Sequence, residues 1–167
     1  MDDTRHQTTW HIESTARAVS RLRATIRDEV RSWGSVLNDD QLSTLLLLSA
    51  ELTSNALRYG DQEIIAVRIR LTSSAVSVRV TDGGQATGLV VARPSSTQAE
   101  DGRGLALVAL LSTSWSVERT EYGKAVTAEL ALDANGPRSP TFECRDRSSV
   151  VSCASSHLTA VGVLATR

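Results

Sequence analysis

An excess of either charge is missing from this chain: its 167 residues carry 18 Lys and Arg against 19 Asp and Glu. A protein that grips nucleic acid shows a strongly basic face, so direct nucleic-acid binding is not expected. Arg17, Arg21, Arg23, Arg27 and Arg31 mix with acids on one helical stretch and read as a solvated face. Cysteine is scarce too. Cys144 and Cys153 stand at C-x8-C spacing ahead of His157, which is no zinc pattern, and they read as fortuitous thiols. The histidines, His6, His11 and His157, lie toward the two ends, away from every motif below. Membrane-length apolar runs are lacking, the leucine run Leu45 to Leu48 being far too short to span a bilayer. The opening MDDTRHQTTW is polar and holds no apolar signal region. These absences lead to the expectation of a cytoplasmic protein with no membrane association.

What the chain does have is periodicity. Residues 1–13 read as a leader or a first edge strand. Ser14 is a candidate N-cap, and Val19, Leu22, Ile26, Val30 and Trp33 follow at spacings of three and four, an amphipathic helix closed by Gly34. Its apolar stripe reads as packing on a sheet, with a partner-binding face as the other reading. Asn38-Asp39-Asp40 caps a second helix over about 41–59, with Leu42, Leu45, Leu46, Leu48, Leu52 and Ala56 apolar and Gly60 as the stop. The leucine cluster predicts a helix buried on more than one side.

The period then becomes two. Val67, Ile69 and Leu71, followed by Val76, Val78 and Val80, predict a hairpin turning at Thr72-Ser73-Ser74, one face apolar and one carrying arginines. A polar stretch from Gln85 reads as a mobile loop. A short buried helix opens at Leu105, and a second hairpin turns at Tyr122-Gly123, with Val126, Ala128 and Leu130 alternating on its last strand. Residues 134–167, rich in Ser, Arg and Thr, read as a disordered tail outside a domain over 1–133. The expected fold class is α+β, a two-layer sandwich with three helices on one face of a mixed or antiparallel sheet.

Three short motifs carry chemistry. Glu51 and Asn55 are four apart, so on a helix they stack on one face. A carboxylate there accepts a proton from an attacking hydroxyl or water, and an amide oxygen one turn on ligates Mg²⁺. Taken alone, the pair reads more readily as the polar face of an amphipathic helix. Asp82-Gly83-Gly84 at a strand end reads first as a turn. The alternative is an acceptor for an exocyclic purine amine beside glycines that let a ring approach the backbone. Gly102-Arg103-Gly104 before a helix frees N–H groups for an anion, with Arg103 adding charge, or is simply a loop-to-helix joint.

In order, E-x-x-x-N on a helix, a strand ending in D-x-G, a loop, and G-x-G-L opening a helix form a set that resembles the GHKL ATPase superfamily. ELTSNALRYG looks like its N box, VTDGG and DGRGLALV like its two glycine boxes, and GKAVTAEL like its last-strand motif. With no histidine on a long helix, the sequence looks most like the small stand-alone anti-sigma-factor serine kinases of bacteria. The resemblance implies a Bergerat-type sandwich that binds ATP and Mg²⁺. It implies a kinase that phosphorylates a serine on an anti-sigma-factor antagonist and regulates transcription by partner switching with a sigma factor, as a homodimer in related proteins. Carried over by position, Glu51 would be the general base, Asn55 would hold Mg²⁺, Asp82 would read adenine with Gly84 lining the ring, and Gly102 and Gly104 would meet the phosphates. Arg103 joins the phosphate site by its position. Thr127, on the last strand, would make a further adenine contact. The competing reading is a non-catalytic module that sequesters a sigma factor or another regulator, with ATP structural or absent.

Overall fold

The computed structural model describes residues 3–60, 62–83, 103–120, 123–132, 141–146 and 149–153. Along these the elements run β1 (Thr4–Glu13), α1 (Ala16–Ser32), α2 (Asp39–Tyr59), β2 (Ile64–Thr72), β3 (Ala75–Asp82), α3 (Arg103–Leu111), β4 (Ser114–Thr120), β5 (Gly123–Ala131), β6 (Thr141–Asp146) and β7 (Ser149–Cys153). The strands form one sheet in the order β1-β2-β3-β5-β4-β6-β7. Neighbours pair antiparallel except β4 with β6, which is parallel. The α+β sandwich expected from the periodicities is therefore the fold, with the sheet of mixed type.

Alternation in the strands decides which face the helices cover. Ile65, Val67, Ile69 and Leu71 of β2, with Val76, Val78 and Val80 of β3, are buried and share a core with Leu22, Ile26 and Val30 of α1 and the leucines of α2. Each such aliphatic side chain removed from water contributes about 1.5–3 kcal/mol. The α1 stripe is thus core, as its bland reading expected. The opposite face of β2 and β3 carries Arg68, Arg70, Ser77 and Arg79.

Both long helices begin with side-chain caps. Thr15, one residue past the expected Ser14, accepts the Ala18 N–H at 3.2 Å. Asn38 builds a capping box, its Oδ1 accepting the Gln41 N–H at 2.8 Å while Gln41 Oε1 accepts the Asn38 N–H at 3.0 Å. Helix α2 also buries Ser49 and Thr53. Their hydroxyls donate back to Leu45 O at 2.7 Å and Ser49 O at 2.5 Å, so the burial leaves both satisfied. Edge strand β1 is tied to the end of α1 through Glu29, whose Oε1 accepts from Thr8 Oγ1 at 2.5 Å and from Trp33 Nε1 at 3.2 Å. The His6 ring stacks on Trp33 with centroids 5.1 Å apart.

Within 134–167, the stretch expected as a disordered tail, Thr141–Asp146 and Ser149–Cys153 are strands that extend the sheet beyond β4. A parallel neighbour pairs at long range, and no local pattern announces it. Residues 133–140 and 154–167 lie outside the described part.

Candidate functional site

Helix α2 positions the first pair. Its buried face, Leu45, Leu48 and Leu52, is committed to the core, which turns Glu51 and Asn55 toward the start of α3. The contact there is close. A Cβ on Gly104 would lie 2.9 Å from Glu51 Oε2 and 3.4 Å from both Asn55 Nδ2 and Oδ1. Glycine at 104 thus lets the first turn of α3 approach a carboxylate and an amide together. Asn55 Nδ2 is buried and has no hydrogen-bond partner among the described residues. Buried amides are nearly always paired, so an unpartnered one facing a helix N-terminus marks a place shaped for a group that supplies the missing partner. Arg103 opens α3, and its side chain lies outside the described part, as do Gly84, Gly102 and residues 85–101.

The second part lies where α2 ends against β3. Gly60 caps α2 in an extended conformation, φ −86°, rather than the left-handed turn that a helix-stopping glycine usually supplies. Glycine is required there for room. A Cβ at Gly60 would stand 2.5 Å from Ala56 O and 3.2 Å from Asp82 Cβ. Asp82 is buried, 4% exposed, at the end of β3. Directly across on β5 is Lys124, with Nζ 3.4 Å from Asp82 Oδ2. Gly123, at φ +143°, takes a conformation that L side chains rarely adopt, and a Cβ there would fall 2.2 Å from Asp82 O. Asp82 is therefore packed against Gly60 at its Cβ and against Gly123 at its backbone carbonyl, with an ammonium beside its carboxylate. Gln62 lies across Gly83, with its carboxamide in the space that a Cβ at 83 would take.

The register corrects one assignment. Asp82, Val80, Val78 and Val76 pair with Lys124, Val126, Ala128 and Leu130, and this is the helix-facing set. Thr127 pairs with Arg79 and Ser116 on the opposite face. There Arg79 Nη1 bonds Glu118 Oε2 at 2.8 Å and approaches Thr127 Oγ1 at 3.5 Å. Thr127 is thus on the wrong side of the sheet to share a pocket with Asp82. Lys124, which the sequence reading left without a role, takes the place beside the carboxylate. The signal was available, since the alternation that sets Val126, Ala128 and Leu130 on one face sets Lys124 with them.

Among the described residues no group of three or more His, Cys, Asp or Glu comes together to hold a metal ion, and no helix is long and apolar enough to cross a membrane. The chemistry on offer is a carboxylate and an amide at a helix N-terminus and, at the other end of the α2 C-terminal half, a buried acceptor beside a donor.

The fold and the family have counterparts among known proteins. Among solved structures the chain is similar to the crystal structure of the RsbU and RsbW domains of Rv1364c from Mycobacterium tuberculosis, at 18% identity and a TM-score of 0.57. The likeness covers 75% of this chain and only 32% of that one, and it is one of fold. No curated protein matches. A family model, that of the histidine kinase-like ATPase domain, matches residues 12–130. That match runs from β1 to β5 through Glu51, Asn55, Asp82 and Gly104, and the chain therefore belongs to the histidine kinase-like ATPase family.

Proposed function

We propose that this ATPase-family domain is a serine-protein kinase and anti-sigma factor. It binds ATP between Asp82 and the α2–α3 junction, phosphorylates a serine on an anti-sigma-factor antagonist, and controls transcription by exchanging that partner for a sigma factor. The observation that carries the reading is the junction itself, where Gly104 brings the start of α3 against Glu51 and an unpartnered buried amide of Asn55. The likeness to a structure that includes an RsbW domain supports placing the chain with the anti-sigma-factor kinases.

In this reading Glu51 accepts the proton of the serine hydroxyl. The new bond joins that oxygen to the γ-phosphorus, the bond from the γ-phosphorus to the β–γ bridging oxygen breaks, and ADP leaves. The protein mainly positions groups and compensates charge. Asn55 is the residue that would hold Mg²⁺, which, when bound, neutralises phosphate charge. The N–H groups at the start of α3 face the anion with the helix dipole behind them. Asp82 accepts from the exocyclic amine of adenine. Gly84, Gly102 and Arg103 enter by sequence position alone, a cytoplasmic location by the polar opening of the chain and its short apolar runs, and a homodimer by resemblance.

The test is transfer of labelled γ-phosphate to candidate antagonist proteins. Glu51→Ala is expected to bind ATP about as well as wild type and to lose roughly 10²–10⁴-fold in transfer rate. Undiminished transfer by Glu51→Ala would remove the base assignment. A folded wild type that binds no ATP would leave the sequestering module in its place.

A further inference from the structure

The proposed function uses Asp82 and leaves Lys124 without a task, although the two are direct partners across β3 and β5. Their side chains are 5% and 20% exposed, with Oδ2 and Nζ 3.4 Å apart. Close backbone at Gly60 and Gly123 keeps the aspartate in place. A carboxylate only accepts and an ammonium only donates. Side by side, they present opposite polarity to two neighbouring positions of a flat heteroaromatic edge.

A purine offers such an edge. Adenine has the N6 amine, a donor, next to ring nitrogen N1, an acceptor. Guanine has the reverse, an O6 acceptor next to an N1–H donor. Adenine set against the pair satisfies both residues, whereas guanine in the same pose meets acceptor with acceptor and donor with donor. We infer that Lys124 is a specificity-determining residue of the purine pocket, donating to N1 beside the amine that Asp82 accepts from, so that the two residues together select adenine over guanine. This rests on the reading of Asp82 as the purine contact. It adds a second point of recognition, on a different strand, and replaces Thr127 in that role.

The test pairs a ligand atom with a side chain. Wild type, Lys124→Met and Lys124→Arg are titrated with ATP, GTP, 1-deaza-ATP and 7-deaza-ATP, and circular dichroism checks that each variant is folded. Wild type is expected to bind 1-deaza-ATP roughly tenfold or more weakly than ATP, as for loss of a charge-assisted hydrogen bond, and 7-deaza-ATP nearly as well as ATP. Lys124→Met is expected to weaken ATP by a similar factor, to be indifferent to loss of N1, and to narrow the preference of ATP over GTP. Lys124→Arg, which keeps a cationic donor, is expected to retain the preference. If Lys124→Met fails to fold, the wild-type titrations alone still decide. Equal binding of ATP and 1-deaza-ATP by wild type overturns the inference, and so does an ATP-to-GTP ratio unchanged in a folded Lys124→Met. Failure of wild type to bind any of the four nucleotides counts instead against the nucleotide site as a whole.

Discussion

Gly104→Ala separates the stability of the α2–α3 junction from its chemistry. The added methyl would stand 2.9 Å from Glu51 Oε2 and 3.4 Å from both terminal atoms of Asn55, closer than the ~3.5–4.0 Å at which nonbonded heavy atoms rest. Something must yield, and the nearest atom is the free end of a glutamate that can turn about its own bonds. Pushing a side chain off its rotamer costs about 0.5–1.5 kcal/mol. Replacing glycine with alanine within a helix returns up to about 1 kcal/mol. The two nearly cancel, so the unfolding free energy should stay within about 1 kcal/mol of wild type and the melting temperature within about 2–4 °C. Function should not be spared, because a catalytic group displaced by about 1 Å can lose about 10²-fold in rate. Thermal unfolding followed by circular dichroism, run beside the phosphotransfer assay, reads both. A variant as stable and as active as wild type would show that the junction is not the phosphate end of the site. A loss of 3 kcal/mol or more would show that the junction is rigid core, and the reasoning about a yielding carboxylate would be wrong.

Gly60→Ala should behave in the opposite way. Its Cβ would meet backbone, Ala56 O at 2.5 Å, as well as Asp82 Cβ at 3.2 Å. A loss of about 1–3 kcal/mol is expected in urea unfolding, with nucleotide affinity falling as Asp82 is displaced. Asn38→Ala removes the α2 capping box and should lower stability by about 1 kcal/mol without altering ATP affinity, since the cap is at the far end of the helix from Asn55. A cap variant that changed affinity would mean that the two ends of α2 are coupled.

Much of the sandwich was legible because burial imposes period. The three- and four-residue spacing of Leu22, Ile26 and Val30, and the alternation of Val67, Ile69 and Leu71 against Val76, Val78 and Val80, each name a face. The pairing of Glu51 with Asn55 was likewise legible, since helical geometry stacks residues four apart. What remained hidden depends on contacts between distant segments. Gly104 could be read as a phosphate loop residue, yet only the packing of α3 on α2 shows which side chains it meets. Gly60 looked like a helix stop by conformation and proves to be one by space. Lys124 faces Asp82 only once β5 is registered against β3, and the same count removes Thr127 from the pocket. Strands β6 and β7 were missed because segments this short acquire strand structure from a neighbour's edge more than from their own pattern.

Asp82 as the reader of a purine in this fold is open to direct test by calorimetric titration of ATP with Mg²⁺ into wild type and Asp82→Asn. Saturable binding to wild type is expected, with a loss of roughly tenfold or more in the variant, because an acceptor for the exocyclic amine is weakened in a buried site. Saturable binding of equal strength to both folded proteins would contradict it.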